Sequence, residues 1–194
     1  MIQSKQDYEF YLKQDKIMNG WPVHQSLSSR IKNIIFPNPI QKFLSLLRKA
    51  EYYTNCRKYN VISCGIVRSK LRKQGLKLGF YIPLNTFGPG LSLPHTGTIV
   101  VNGNTKVGAN CRLHVCVNIG ANGGEEKVPQ IGDNVYIGPG AILFGDISIA
   151  DNVTIGANAT VNKSCNQQHV VLAGSPASIV KENYPNWIEL NKVK

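Results

Sequence analysis

Two of the four histidines, His95 and His114, stand 19 residues apart in a stretch of unusually regular sequence. A neutral imidazole, with an ordinary pKa near ~6.5, can take the proton of a hydroxyl while that oxygen attacks a carbonyl carbon. Backbone N–H groups nearby can then hold the oxyanion that forms. His95 lies in LPHTG and His114 in RLHVC, so both are candidates for such a base. His24 and His169 have no comparable partner and read as structural residues. Cys116, two residues after His114, offers a second chemistry in which a His-paired thiol becomes the nucleophile. It ranks below the base, because a reactive thiol requires a specific environment. The cysteines (Cys56, Cys64, Cys111, Cys116 and Cys165) are odd in number and contain no C-x-x-C pair. Neither a disulfide framework nor a zinc centre is expected from them, and two neighbouring histidines fall short of a metal site.

The elements that must position these histidines announce themselves by a period of six. Val101, Val107, Leu113 and Ile119 are followed by Ile131, Ile137, Leu143, Ile149, Ile155 and Val161, with one gap of two periods between Ile119 and Ile131. The next residue is usually small (Gly108, Gly120, Gly132, Gly138, Ala150, Gly156), and the fifth is compact or apolar, from Cys111 and Val117 to Val153 and Ala159. Neither a helix nor a simple alternating strand has this period. A parallel β-helix does: each six-residue unit is one short strand and a turn, and three units close one coil. Asn110, Asn134, Asn152 and Asn158 recur where corners must adopt unusual backbone angles. His95 and His114 are one coil of eighteen plus one residue apart, which puts them near the same corner of adjacent coils. His114 also replaces the small residue of other units, so its side chain should stand outward.

Before residue 79 the pattern is helical. Ile40, Phe43, Leu44, Leu47 and Ala50 follow helical spacing behind Pro37 and Pro39, and a shorter helix is expected near Tyr8 to Lys16. Such helices would cap the open end of the coil. The expected division is a basic helical subdomain at 1–78, a β-helix at 79–175 and a tail at 176–194, where Trp187, Ile188 and Leu190 form a short closing segment. The charge is lopsided: residues 1–80 carry 15 Lys/Arg against 4 Asp/Glu, whereas 81–194 carry 7 of each. A solubilising face explains this, as does weak association with an anionic membrane surface or an acidic glycan; nucleic acid is not the expected partner. No apolar run approaches the ~20 residues of a membrane span, and the polar N-terminus lacks a secretory signal, so a soluble cytoplasmic protein is expected.

The units IGDNVYIGPGAILFGDISIADNVTIGANATV resemble the left-handed β-helix of hexapeptide-repeat acyltransferases. AGSPASIV (173–180) resembles the coenzyme-A motif that ends that coil, and HTGTIVVNG followed by LHVCVNIG is most similar to the serine acetyltransferase branch. The resemblance covers roughly residues 79–181. It implies a left-handed coil, a homotrimer with sites in the clefts between subunits, acetyl-CoA as co-substrate and no metal. It makes His95 the base, with His114 a second candidate or a substrate-orienting group. Gly140, Ala141 and Ala157 would let a pantetheine arm lie along the coil. Gly174, Ser175, Pro176 and Ala177 would close over it, and Lys163 or Lys181 would meet the nucleotide phosphates.

Two departures from the family pattern shape the expected substrate. The aspartate usually found before the histidine is Pro94 here, leaving a backbone carbonyl, Asn85 or Asn118 to orient the imidazole. The loop ANGGEEKVPQ carries Lys127 where the family has an arginine suited to an α-carboxylate. Asn85, Asn118 and Lys127 are accordingly the candidate substrate contacts. The expectation is an O-acetyltransferase acting on a hydroxyl of a sugar in surface polysaccharide synthesis. Serine O-acetyltransferase is the alternative, and a catalytically silent β-helix scaffold the second.

Overall fold

The computed structural model describes residues 1–23, 36, 38–57 and 60–192; His24 and Pro37 lie outside them. Among the described residues, helices α1 (Lys5–Met18), α2 (Pro39–Cys56) and α3 (Val61–Leu78) precede thirteen short strands, and α4 (Trp187–Lys192) follows them. The ends of the helices are written in the sequence. Asn38 caps α2 by accepting from the N–H groups of Ile40 and Gln41 at 3.0 and 3.1 Å, and Pro39 occupies the first helical position. Gly79 ends α3 with a left-handed φ of 77°, and a Cβ there would lie 3.0 Å from the carbonyl of Gly97.

The strands form three parallel faces. Face A orders β1 (Phe80–Tyr81), β2 (Ile99–Val101), β5 (Val117–Gly120), β8 (Ile142–Phe144) and β11 (Thr160–Val161). Face B holds β3 (Lys106–Val107), β6 (Gln130–Ile131) and β9 (Ser148–Ile149). Face C runs through β4 (Arg112–Leu113), β7 (Tyr136–Ile137), β10 (Thr154–Ile155) and β12 (Val171–Gly174) to β13 (Ala177–Lys181). The six-residue period thus maps onto one face per unit. Its aliphatic and fifth residues both turn inward: Leu113, Ile119, Ile137, Leu143, Ile155, Val135 and Val153 are fully buried. Burial also pushes the Cys111 thiol above its usual pKa, which makes it an inert core residue.

At one corner Asn110, Asn134 and Asn152 take φ between 58° and 62° and form an amide ladder, each donating to the next at 3.0 Å. The apparent two-period gap is an excursion of residues 121–129 between β5 and β6, after which register resumes with Asn118 opposite Ile142. The expected tail boundary moves: β13 pairs antiparallel with β12, so residues 177–181 belong to face C. Beyond it, Trp187 is buried on that face and donates its indole N–H to Asn110 O at 3.0 Å, whereas Leu190 remains exposed.

The helices are fastened to the first coil by a buried charge cluster that no local pattern revealed. Arg48 on α2 is fully buried and uses its five N–H groups on Asp15, Glu51 and the carbonyls of Phe87 and Gly88, at 2.7 to 3.2 Å. Asp15 in turn accepts from the N–H groups of Gly90 and Leu91, and Glu51 from that of Asn85. Burial alone would lower the pKa of Arg48, but the two carboxylates outweigh it and hold the pKa above its usual value. Phe43 packs edge-on against Phe80 at 5.2 Å, where α2 meets the first strand of the coil. Replacing Arg48 with Leu leaves two buried carboxylates without a countercharge. We expect a loss of about 3–5 kcal/mol in urea denaturation, with the far-UV signature of the folded fraction retained.

Candidate active site

Where face C turns into face A, the successive coils stack one corner on another. The first carries residues 94–98, the second 114–116, the third 138–141 and the fourth 156–159. Main-chain bonds run along this edge: Cys116 N–H to Thr98 O at 2.6 Å, Gly140 N–H to Val115 O at 2.9 Å and Asn158 N–H to Pro139 O at 2.9 Å. At its far end the turn joining β12 to β13, Gly174–Ala177, meets β11 through Ser175 Oγ and Thr160 Oγ1, 2.8 Å apart.

His95 and His114 come together here, with ring centroids 6.0 Å apart. His95 is exposed on a corner two residues longer than the one beneath it. That longer corner is pinned at both ends. Asn19, the C-cap of α1, accepts from Leu93 N–H at 2.9 Å, while Gly97 N–H donates to Leu78 O at 3.0 Å. His114 is half-buried, and its Nε2 is buried without a hydrogen-bond partner. Burial, the neighbouring Arg112 charge and His95 pull its pKa down to about 4. At neutral pH His114 is therefore an uncharged ring beside His95.

Sequence reasoning missed two neighbours. Tyr136 lies 5.0 Å from His114 by ring centroids, and Arg112 stacks its guanidinium over Trp187 at 5.3 Å. With Thr154 they form one wall of a cleft of 390 Å³, whose other side is the C-terminal segment from Tyr184 to Asn191. The register that aligns Arg112, Tyr136 and Thr154 on face C carried this signal, but the loop between β5 and β6 interrupts the eighteen-residue spacing that would have displayed it.

The other candidates divide. Gly140, Ala157, Gly174, Ser175, Pro176 and Ala177 all lie on the histidine edge. Gly140 takes the positive φ of this corner (74°) as Cys116 and Asn158 do, and a Cβ there would meet Asn158 Oδ1. Ala141 is turned wholly into the core, so its methyl cannot line the edge. Lys163 follows β11 at the corner between faces A and B, and Lys181 lies opposite Val171 at the far end of β13, stacked over Tyr184 at 4.7 Å. Neither stands on the histidine edge. Asn85 is also at the corner between faces A and B, where it exchanges hydrogen bonds with Asn55, and cannot orient the histidine ring of its own chain. Asn118 is exposed on face A, four residues after His114. Lys127 is committed to an ion pair with Asp146, which raises its pKa. Cys116 is an exposed corner residue with φ 61°. Among the described residues no carboxylate pairs with either histidine, and no group of three metal-ligating side chains forms.

Comparison with known proteins points the same way as the repeat. The family of bacterial transferase hexapeptides (six repeats) matches residues 129–163. A serine acetyltransferase of Staphylococcus aureus (strain Mu50) is 37% identical over 98 residues, 50% of this chain and 46% of that protein. The chain spans about half the length of the curated relatives it matches. A soybean serine acetyltransferase structure complexed with serine superposes with a TM-score of 0.69 at 19% identity, covering 91% of this chain and 70% of that one. A serine acetyltransferase structure in complex with CoA gives 0.68 at 19%, covering 92% and 72%. These likenesses establish the fold: helices followed by a hexapeptide-repeat coil of the serine acetyltransferase type.

The lowered pKa of His114 has a consequence for stability. An unfolded chain protonates this ring near ~6.5, the folded one only near 4, so between them the unfolded state binds more protons and folding weakens as pH falls. His114→Gln should reduce the fall of the thermal midpoint between those pH values. An unchanged pH slope would show that His114 is not the group responsible.

Proposed function

We propose, from a coil of the serine acetyltransferase type, that this chain transfers an acetyl group from acetyl-CoA to a hydroxyl oxygen. The observation that carries the reading is the pair His95 and His114 at the head of an edge that runs to Gly174–Ala177. His95, exposed on its long corner, takes the hydroxyl proton as the oxygen attacks the thioester carbonyl. The new C–O bond forms, the C–S bond breaks, and the departing thiolate recovers the proton from the imidazolium. Products are an acetyl ester and free CoA thiol. The second ring assists by being uncharged: a histidinium at 6.0 Å would oppose protonation of His95, and burial keeps His114 neutral. The small surface offered by Gly140 and Ala157 suits an extended pantetheine arm along the edge.

The named relatives make L-serine the first acceptor to test, ahead of the saccharide expected from the sequence. A sugar hydroxyl remains the second reading, favoured by a specific feature of the site. Pro94 stands beside His95 in place of an acidic residue, and loop 121–129 offers Lys127 but no arginine fork to match an α-carboxylate. The homotrimer belongs to the same proposal; on face A the exposed Val100 and Ile142 flank the exposed Asn118, a mixed surface that suits contact with another copy.

Thiol release from acetyl-CoA, measured with L-serine and with a panel of saccharides, tests both the reaction and the acceptor. His95→Ala should reduce the rate at least ~10²-fold with the fold intact. His114→Gln should lower it less, because the ring remains replaceable by a neutral group. Turnover unaffected by His95→Ala would remove the base mechanism, and no thiol release with any hydroxyl acceptor would overturn the transferase reading.

A further inference from the structure

Helix α3 turns an odd surface outward. Val67, Gln74, Gly75 and Leu78 are buried, and the helix packs by that side. On the outer side Val61, Ile62, Ile66 and Leu76 are 50 to 80% exposed, uncovered by the described residues. Ile62, Ser69 and Leu76 are spaced seven apart and so form a line along the outer crest. At 3.6 residues per turn, Arg68 and Arg72 fall with Val61 on one flank of that line, and Lys70, Lys73 and Lys77 with Ile66 on the other. All five cations are exposed, and the helix contains no acidic residue. The sequence has none at all between Glu51 and Glu125.

We propose that the outer face of α3 docks on an anionic membrane surface, with Ile62, Ile66 and Leu76 entering the headgroup–acyl boundary and the flanking Lys and Arg residues meeting lipid phosphates. Exposed apolar side chains interspersed with Lys and Arg on one helix face suit a helix lying against an anionic bilayer interface. Long cationic side chains reach back to the headgroups while their stems cover apolar surface. An acidic glycan would be served by the charges alone; the exposed isoleucines and leucine distinguish a membrane from a soluble polyanion. A groove of 630 Å³ beside the crest strengthens the assignment. It is walled by Leu71, Leu76 and Phe80 and edged by Arg68 and Arg72, an apolar trough with cations at its lip. No helix of the described residues is long and apolar enough to cross a membrane, so the contact is one of surface docking.

Co-sedimentation of the full chain with vesicles tests this. The probes are phosphatidylcholine alone and phosphatidylcholine with roughly one-third phosphatidylglycerol, at about 0.05 M and about 0.5 M salt. The expected result is pelleting with the anionic vesicles only, weakened at least tenfold by the higher salt. Lys70→Glu with Lys73→Glu should reduce binding at least tenfold, and Ile62→Gln with Leu76→Gln should reduce it at low salt while leaving all charges in place. None of the four residues stands on the histidine edge and all four are exposed, so circular dichroism and thiol release should match the parent. Three results would each overturn the proposal: no binding to anionic vesicles, binding indifferent to both variants, or loss of self-association in Ile62→Gln with Leu76→Gln, which would mean that another copy covers the crest. Binding to a soluble acidic polysaccharide that survives the apolar variant, without vesicle binding, would assign the cations to a glycan instead.

Discussion

Each inward aliphatic side chain of the coil rests on its counterpart one coil away, and that stacking dictates where the chain is free to vary. A strand within a face cannot gain one residue without turning its core side chain outward. Extra residues must leave at corners. They do so at 94–98, which is two residues longer than the corner beneath it, and at 121–129 between β5 and β6. The first excursion carries His95. The site thus pairs one residue that the packing rule expels, His95, with His114, Arg112 and Tyr136, which the regular rungs hold in place.

That frame is extended into the helices by one guanidinium. Arg48 joins α1, α2 and the first coil through bonds to Asp15, Glu51, Phe87 and Gly88, and Asp15 passes the connection to Gly90 and Leu91. Asn19, one turn beyond Asp15, then holds Leu91 and Leu93. A single polar relay therefore leads from the helical bundle to the segment entering His95. Its groups are satisfied throughout, which is what makes a buried charge tolerable there.

The coil was legible in the sequence because a period of six is a local, repeated signal. The histidine pair was legible for the same reason, its spacing of 19 differing from one coil by a single residue. The corner asparagines were also legible, since their backbone angles restrict residue type. What the repeat could not convey was which of three corners a residue occupies once loops disturb the count. Lys163 and Asn85 stand at a different corner from the histidine edge, and the position of Ala141 in its unit turns it inward. Arg48 and Asp15 are 33 residues apart on helices whose packing no periodicity specifies, so their bond left no trace in the pattern. Tyr136 became a neighbour of His114 only through the register of face C.

The way face C finishes has a consequence beyond this site. Stacked parallel strands with aligned side chains are the architecture of an amyloid fibril, which grows because its last strand always offers an unpaired edge. Here β13 folds back antiparallel on β12, with the exposed Ile179 and Val180 flanked by Ser178 and Lys181. On the other two faces the final rung is the two-residue β11 and a single bridge at Cys165. Short, reversed and charged edges are poor templates for a further chain. The same geometry that in a fibril would propagate without limit is held in this protein to a countable number of rungs.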